Sequence, residues 1–149
     1  MAKATELSEG DERRLVLASI DGMHKAYTSN NKPDDRRFGA AVLTTEGNVY
    51  RGGGYHSDTY SLLLHAEQSA LAHAAANGEY WIKAIAVTCN FPERADEAVY
   101  PCHMCKQLLW ENHLRTQINV CVIMHDDKGK VLERVNLLDM ISHPWPRRL

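Results

Sequence analysis

The chain has 149 residues, of which 44% are hydrophobic and 24% are charged, and its formal net charge is −2. This length and composition are typical of one globular domain with a single core. The charge disfavours nucleic acid as a partner, because nucleic-acid binding depends on basic surfaces that neutralise phosphates. It favours small molecules as ligands.

The amino-terminal segment, residues 1–14, is polar and lacks the apolar region of a secretory signal. No apolar run reaches the roughly 18 residues of a membrane span, so we expect a cytoplasmic protein without membrane partners. The chain contains four cysteines. In a reducing compartment, a Cys-x-x-Cys pair favours metal or redox chemistry over disulfide bonds.

The first third of the chain predicts a helix followed by a β-hairpin. Ser8 and the acidic residue three positions later have the spacing of a capping box, and apolar residues at helical spacing predict a helix ending near Ser29. After a polar loop, FGAAVLTT and VYRGGGY predict two antiparallel strands. Gly47 lies between them and supplies the positive φ that a tight turn needs.

The rest of the chain predicts an alternation of helices and strands, which is typical of a layered α/β domain. The alanine-rich segment 64–76 predicts a second helix, ended by Asn77 and Gly78. A third helix is predicted from about Pro101 to His113, because proline is tolerated at the first helical position. The remaining predicted elements are strands at 82–89, 119–124 and 131–135 and a short closing helix. We expect a single domain over residues 1–149.

Two short motifs carry the candidate chemistry. LHAEQSAL contains His65 and Glu67 in the first turn of the predicted second helix, and PCHMC contains Cys102 and Cys105 in the first turn of the third. Cysteines three positions apart on a helix lie on one face, so both sulfurs can bind one ion with His65 as a third ligand. Such a zinc site keeps its fourth position open, as catalytic sites do. Glu67 beside that position can act first as a base and then as an acid.

Both motifs begin helices, where unpaired N–H groups and the helix dipole favour negative charge. We therefore expect the pKa of the two thiols to be lowered before any metal binds. The alternative interpretation is a structural zinc ion or a redox cysteine pair. His103 points about 100° away from the cysteines on a helix, which favours a place in the pocket wall or in solvent. Cys89 and Cys121 lie in apolar segments, which favours the core.

His-x-Glu followed by Pro-Cys-x-x-Cys is the signature of the zinc nucleobase deaminases, and the chain resembles the cytidine deaminase family. HAEQSALAHA and PCHMCKQLLWE resemble the two zinc helices of that family, and FGAAVLTTEGNVYRGG resembles the hairpin that precedes them. Together these segments cover most of residues 26–111. The resemblance implies a three-layer α/β/α sandwich with a five-stranded mixed sheet.

The resemblance also implies roles for individual residues. It places zinc on His65, Cys102 and Cys105, with Glu67 as the proton shuttle. It also implies that the main-chain N–H of Ala66 and the main-chain carbonyl of Tyr100 hydrogen-bond to the edge of the pyrimidine.

Short members of the family are usually homotetramers with composite active sites. The resemblance therefore implies a homotetramer, with a homodimer as the alternative. Trp145 near the carboxyl end is interpreted either as an anchor against a neighbouring subunit or as a cover for the chain's own core.

The chain departs from the family pattern in two places. Many short members carry cysteine followed by Glu and Arg where this chain has His65, Glu67 and Gln68; a histidine ligand makes the site neutral, so no extra cation is needed. The family's Asn-x-Glu, which grips the ribose hydroxyls, aligns with Gly54 and His56, and neither Asn nor Glu is present. We therefore expect a sugar end that is modified, absent, or held by Gly54, His56 and Tyr60, with Tyr55 and Asp58 as further candidates. For Tyr55, His56 and Tyr60 the alternative role is packing within the loop.

The implied function is zinc-dependent hydrolytic deamination of a cytosine-type nucleoside, such as cytidine or deoxycytidine, to the uracil-type product with release of ammonia. This activity would serve pyrimidine salvage. Because Asn-x-Glu is missing, the alternative is a deaminase of an aminonucleoside antibiotic, as in the blasticidin type, or of another modified amino-heterocycle. A polynucleotide editor would need a basic channel, which the net charge of −2 disfavours. A zinc-stabilised binding module without turnover is the remaining class.

Overall fold

A computed structural model describes residues 5–149, apart from the side chain of Arg94, so residues 1–4 of the predicted domain and of its polar amino-terminal segment lie outside the described part. Five strands and four α-helices follow one another in this part of the chain. They are α1 Glu9–His24, β1 Phe38–Thr44, β2 Val49–Gly53, α2 Ala66–Ala76, β3 Ile82–Cys89, α3 His103–Thr116, β4 Cys121–His125, β5 Val131–Asn136 and α4 Leu137–Met140, with a 3-10 helix at Pro92–Arg94.

The strands form one mixed sheet in the order β2-β1-β3-β4-β5. Strands β3 and β4 are parallel, and the other neighbours are antiparallel. The core on one face contains Leu15 and Val16 of α1, and the core on the other face contains Ala70 of α2, Leu109 of α3 and Leu137 of α4. The predicted three-layer α/β/α sandwich is therefore confirmed.

Burial along the strands follows from this layering. Strands β1 and β3 are buried along nearly their whole length, because helices cover both faces of the sheet at its centre. This explains the unbroken apolar character of IKAIAVTC. Strand β5 lies at the sheet edge and is only partly buried. Among the described residues, no helix is both long and apolar enough to cross a bilayer.

The helix boundaries confirm some predictions and correct others. The predicted cap is present, since the Ser8 hydroxyl accepts the N–H of Asp11 at 3.1 Å. The prediction that α1 extends to Ser29 is wrong: it ends at His24, because the chain turns so that the Tyr27 N–H can donate to the Gly54 carbonyl at 3.0 Å.

The starts of α2 and α3 lie later than predicted. Helix α2 begins at Ala66 and not at Leu64, because Leu64 pairs in extended conformation with Tyr55. Helix α3 begins at His103 and not at Pro101, because Cys102 has extended backbone angles and forms the N-cap. The two helices therefore begin directly after a predicted metal ligand.

Gly52 and Gly22 allow the two flanking helices to lie directly on β2. A Cβ atom at Gly52 would lie 2.2 Å from the backbone nitrogen of Ala70 and 2.4 Å from the carbonyl oxygen of Ala66, both in α2. On the other face, a Cβ atom at Gly22 of α1 would lie 2.4 Å from the Gly52 carbonyl oxygen. Any side chain at Gly52 would push α2 away, so this contact fixes where the first turn of α2 lies.

A buried histidine joins β4 to α1. His125 is 3% exposed, its Nδ1 lies 2.7 Å from the Asp126 carbonyl oxygen, and its Nε2 lies 2.6 Å from the Ser19 hydroxyl. A carbonyl only accepts, so Nδ1 carries the proton when the ring is neutral. The single proton of the Ser19 hydroxyl is then shared between Nε2 and the Val16 carbonyl oxygen, which lies 2.8 Å away. Burial lowers the pKa of His125, which favours this neutral form.

We expect the free energy of unfolding to fall as the pH drops below the ordinary histidine pKa of 6.5. The unfolded chain takes up a proton on this side chain there, whereas the folded chain resists protonation until its lowered pKa is reached. His125→Gln removes this titration and should flatten the stability profile between about pH 5 and pH 8. Denaturant unfolding measures the effect, with the exposed His24→Gln as the control. Equal pH slopes for wild type and His125→Gln would contradict the prediction.

Candidate active site and metal centre

Two helix starts meet at the candidate site. His65 is the N-cap of α2, Cys102 is the N-cap of α3, and Cys105 lies in the first turn of α3. The position of α2 depends on its contact with Gly52, and α3 is anchored to the same sheet face by Leu109. Two motifs far apart in sequence are thus brought to one place.

The three predicted ligand residues form a compact group. His65 Nδ1 lies 3.2 Å from the Cys102 sulfur and 3.5 Å from the Cys105 sulfur, and the three ligand atoms all lie within 4.8 Å of one another. Nitrogen and sulfur ligands of a tetrahedral zinc ion, at bond lengths of about 2.0 and 2.3 Å, lie about 3.5 Å apart. The donor set and its spacing therefore fit zinc, held through Nδ1 and two sulfurs.

The predicted lowering of the thiol pKa is wrong for Cys105. This residue is buried, and the burial raises its pKa well above the usual range, with further contributions from Glu67 and Cys102. Desolvation of the thiolate outweighs the favourable field of the helix start. A metal ion must displace the Cys105 proton when it binds.

Glu67 lies beside the ligands but is not one of the three grouped residues. It is hydrogen-bonded to Cys105, and burial raises its pKa against the opposing effects of its own backbone N–H, of His65 and of Cys105. It also lines the adjoining cavity. A carboxyl group in this environment can exchange a proton with a ligand in the cavity.

Gln68 has a role that the sequence analysis missed. Its Oε1 accepts the backbone N–H of His65 at 2.8 Å, which fixes the N-cap residue that also offers Nδ1 to the metal. The signal was available, because glutamine three residues after an N-cap is half of a capping box. It was obscured because histidine is an uncommon N-cap residue.

A cavity of about 410 Å³ opens beside the metal ligands. Its lining includes Ala66, Tyr100, Gly54 and His56, which were predicted to contact substrate. The predicted contact Tyr60 is not among the lining residues; it is 76% exposed, and its ring lies edge-on to His56 with centroids 5.8 Å apart. The contact roles of these residues stay predictions.

Other lining residues come from parts of the chain that carried no motif. They belong to the loop after α1, to the start of β1 and to the loop after β3: Ala26, Tyr27, Thr28, Arg36, Arg37, Phe38, Phe91 and Val99. No local sequence signal indicates them, because only the folded sheet brings these segments to the cavity.

The side chain of Tyr100 has a partner outside the cavity. Its hydroxyl donates to the carboxylate of Glu133 in β5, a bond that raises the pKa of Tyr100. Tyr100 directly precedes the buried Pro101 and the N-cap Cys102. The hydrogen bond therefore ties one wall of the cavity to the sheet.

Known proteins are similar to this chain in sequence and in fold. Residues 13–123 match the family described as the cytidine and deoxycytidylate deaminase zinc-binding region. The cytidine deaminase of Sporosarcina psychrophila is 30% identical over 101 residues, which are 68% of this chain and 69% of that protein. The cytidine deaminase of Halalkalibacterium halodurans is 31% identical over 101 residues, or 68% and 71% of the two chains.

Solved structures show the same fold. The crystal structure of cytidine deaminase from Burkholderia pseudomallei matches with a TM-score of 0.72 at 25% identity, covering 96% of this chain and 100% of that one. The cytidine deaminase from Mycobacterium tuberculosis matches with a TM-score of 0.68 at 20% identity, covering 89% and 94%.

The fold and the site together define a zinc-binding deaminase, a hydrolase that acts on C–N bonds. The chain belongs to the cytidine and deoxycytidylate deaminase zinc-binding family, which confirms the resemblance seen in its motifs.

We expect Cys102→Ala to lower zinc affinity by at least about tenfold, because removing a direct ligand costs no less than removing a group that supports one. Zinc retained after dialysis against a graded series of chelator concentrations measures this. Cys121→Ala is the matched control, since Cys121 is buried in β4 and lies outside the ligand group. Equal zinc retention in both variants would show that Cys102 is not a ligand.

Proposed function

We propose that the protein hydrolyses the exocyclic amino group of a cytosine-type nucleoside, such as cytidine or deoxycytidine, and releases the uracil-type product and ammonia. The observation that carries this proposal is the convergence of His65, Cys102 and Cys105 beside a cavity whose lining includes His65, Cys102 and the partly buried Glu67. A structural metal site would not need a cavity or a neighbouring acid.

The proposed chemistry divides between the metal and Glu67. Zinc, when bound, acts as a Lewis acid that makes water nucleophilic near neutral pH. Glu67 takes one proton as water attacks C4 of the base and gives it to ring N3. It then takes the remaining proton from the C4 hydroxyl, as the C=O bond forms, and passes it to the amino group, which leaves as ammonia. The overall balance is one water consumed, one C–N bond broken and one C=O bond formed.

Main-chain groups are suited to hold the base. Ala66 is the first residue of α2, and N–H groups at a helix start have no acceptor within the helix. The carbonyl of Tyr100 precedes Pro101 at the cavity wall. One donor and one acceptor of this kind match the hydrogen-bonding edge of a cytosine ring.

The alternative proposal is deamination of an aminonucleoside antibiotic or another modified amino-heterocycle. The cavity lining contains no asparagine, glutamine or aspartate in the part of the chain that the structure describes, and Glu67 is its one carboxylate. His56, at the position of the missing glutamate, pairs with Asp58 at 3.1 Å. Apart from Glu67, which the proposal assigns to the chemistry at the base, a vicinal diol has no acidic acceptor in the described lining, which favours a substrate whose other end differs from ribose.

We propose a homotetramer, with a homodimer as the alternative, acting on a small molecule without nucleic acid or membrane. Large apolar side chains are exposed near the site, including Leu62 at 70% and Met104 at 58%. Monomeric proteins rarely expose extended apolar patches. Trp145 is 80% exposed and does not cover the chain's own core, although its carbonyl accepts from Gln107 at 2.9 Å.

The proposal treats residues 1–149 as one catalytic domain. It places the activity in the cytoplasm, in pyrimidine salvage, where cytosine nucleosides become uracil nucleosides. A reducing compartment suits a site whose metal ligands include two thiols.

We expect Glu67→Gln to lower ammonia release by at least about a hundredfold, because the amide cannot transfer the proton. The measurement is ammonia release from cytidine, deoxycytidine, cytosine and modified amino-heterocycles, together with zinc content. Glu46→Gln, in the exposed turn before Gly47, is the control and should keep both activity and zinc. Full activity in Glu67→Gln, or no turnover of any compound by the zinc-loaded wild type, would overturn the proposal.

A further inference from the structure

We propose that the cavity takes a substrate whose amino-heterocyclic base carries an anionic substituent, and that Arg36 and Arg37 bind this anion. The inference rests on the proposed function and specifies the substrate class of the same site. Both arginines line the cavity, and the sequence analysis singled out neither.

Arg37 is a buried cation without a carboxylate acceptor for its guanidinium. It is 8% exposed, and its guanidinium donates to four carbonyl oxygens, those of Ala26, Lys32, Pro33 and Asp35, at 2.6 to 3.4 Å. A guanidinium has five N–H groups. Within residues 5–149, one N–H of Nη2 is therefore left without an acceptor, on a side chain that lines the cavity.

Arg36 is held at the cavity by an aromatic ring. Its guanidinium carbon lies 5.1 Å from the centre of the Phe91 ring, which lies edge-on to Phe38 with centroids 4.9 Å apart. Both rings line the cavity. Stacking on an aromatic face restrains the guanidinium plane without using its N–H groups, so the aromatic contact does not compete with an anion for them.

The acids near these arginines do not line the cavity. Arg36 pairs through Nη2 with Glu93, an exposed ion pair of little strength that a ligand can replace. The carboxylate of Asp35, the acid closest to Arg37 in sequence, is engaged by the Thr28 hydroxyl and the Lys32 N–H. Neither Glu93 nor Asp35 is a lining residue, so among the described residues Glu67 is the one acid that shares the cavity lining with the two arginines.

The cavity lining therefore carries a net positive charge, whereas a carboxylate that binds the ribose hydroxyls would make the lining more negative. Two arginines are present, and the one lining carboxylate, Glu67, belongs to the chemistry at the base. Guanidinium groups bind phosphate and carboxylate with paired hydrogen bonds. A phosphate ester and a carboxylate share this chemistry, and a volume of about 410 Å³ is within the range of small-molecule sites.

The test compares charged and neutral substrates on the zinc-loaded enzyme. Ammonia release is measured with cytidine, cytidine 5′-monophosphate and the cytidine derivative with a 5′-carboxylate. We expect at least one anionic compound to exceed cytidine in kcat/KM by about tenfold or more, the usual effect of a hydrogen bond to a charged group. The anionic compound with the higher kcat/KM shows whether the site prefers a phosphate ester or a carboxylate.

Two variants change the preference in opposite directions. Arg36→Gln should lower kcat/KM for the anionic compound by about tenfold more than it lowers kcat/KM for cytidine. Glu93→Gln removes the competing carboxylate and should increase the preference for the anion. Arg51→Gln is the matched control, because Arg51 is a partly exposed arginine paired with Asp21 at 2.9 Å and does not line the cavity.

A binding measurement separates failure of the inference from failure of the proposed function. Calorimetry on zinc-loaded Glu67→Ala compares the affinities for cytidine, for cytidine 5′-monophosphate and for the 5′-carboxylate derivative without turnover. Tighter binding of either anionic compound that Arg36→Gln abolishes supports the inference, even if the wild type releases no ammonia. Equal affinity for cytidine and both anionic compounds, or a preference that Arg36→Gln leaves unchanged, overturns it, even if cytidine is deaminated.

Discussion

Helix α2 lies against strand β2 with no side chain between their backbones at Gly52, and the geometry of the site depends on this contact. Because α2 cannot move outward or slide without losing it, the residue before the helix, His65, is fixed relative to the sheet. Helix α3 lies on the same face, so Cys102 and Cys105 arrive at the Nδ1 atom of His65. Burial of Glu67 and its contact with Cys105 follow from the same placement.

Local signals were sufficient for most elements. The Ser8 cap, the Gly47 turn and the run IKAIAVTC each indicate a structure that depends on nearby residues, and each prediction is confirmed. The helix starts were misplaced where a distant segment intervened, as when Leu64 pairs with Tyr55. The pKa of Cys105 was misjudged for a similar reason, because burial is a property of the fold and not of the motif.

The chemistry of the metal site was predictable because its residues belong to two short motifs, whereas the cavity around it was not. Arg37 illustrates the difference: in sequence it ends a polar loop, but in the fold it is buried and donates to carbonyls of that loop. Arg37 directly precedes β1, Phe38 begins it, and Phe91 lies in the loop after β3. Only strand order brings these residues together, and a single sequence does not encode strand order locally.

The excursion between Tyr55 and Leu64 is closed at its base by two backbone hydrogen bonds, of 2.9 and 3.0 Å, between these residues. Residues 56–63 form the loop that these two hydrogen bonds close, and the metal ligand His65 directly follows the closing residue Leu64. Residues can therefore be inserted, deleted or exchanged in the excursion without altering the path of the chain at His65. A lineage that carries this architecture can acquire a new substrate preference in the loop while its reactive centre stays unchanged.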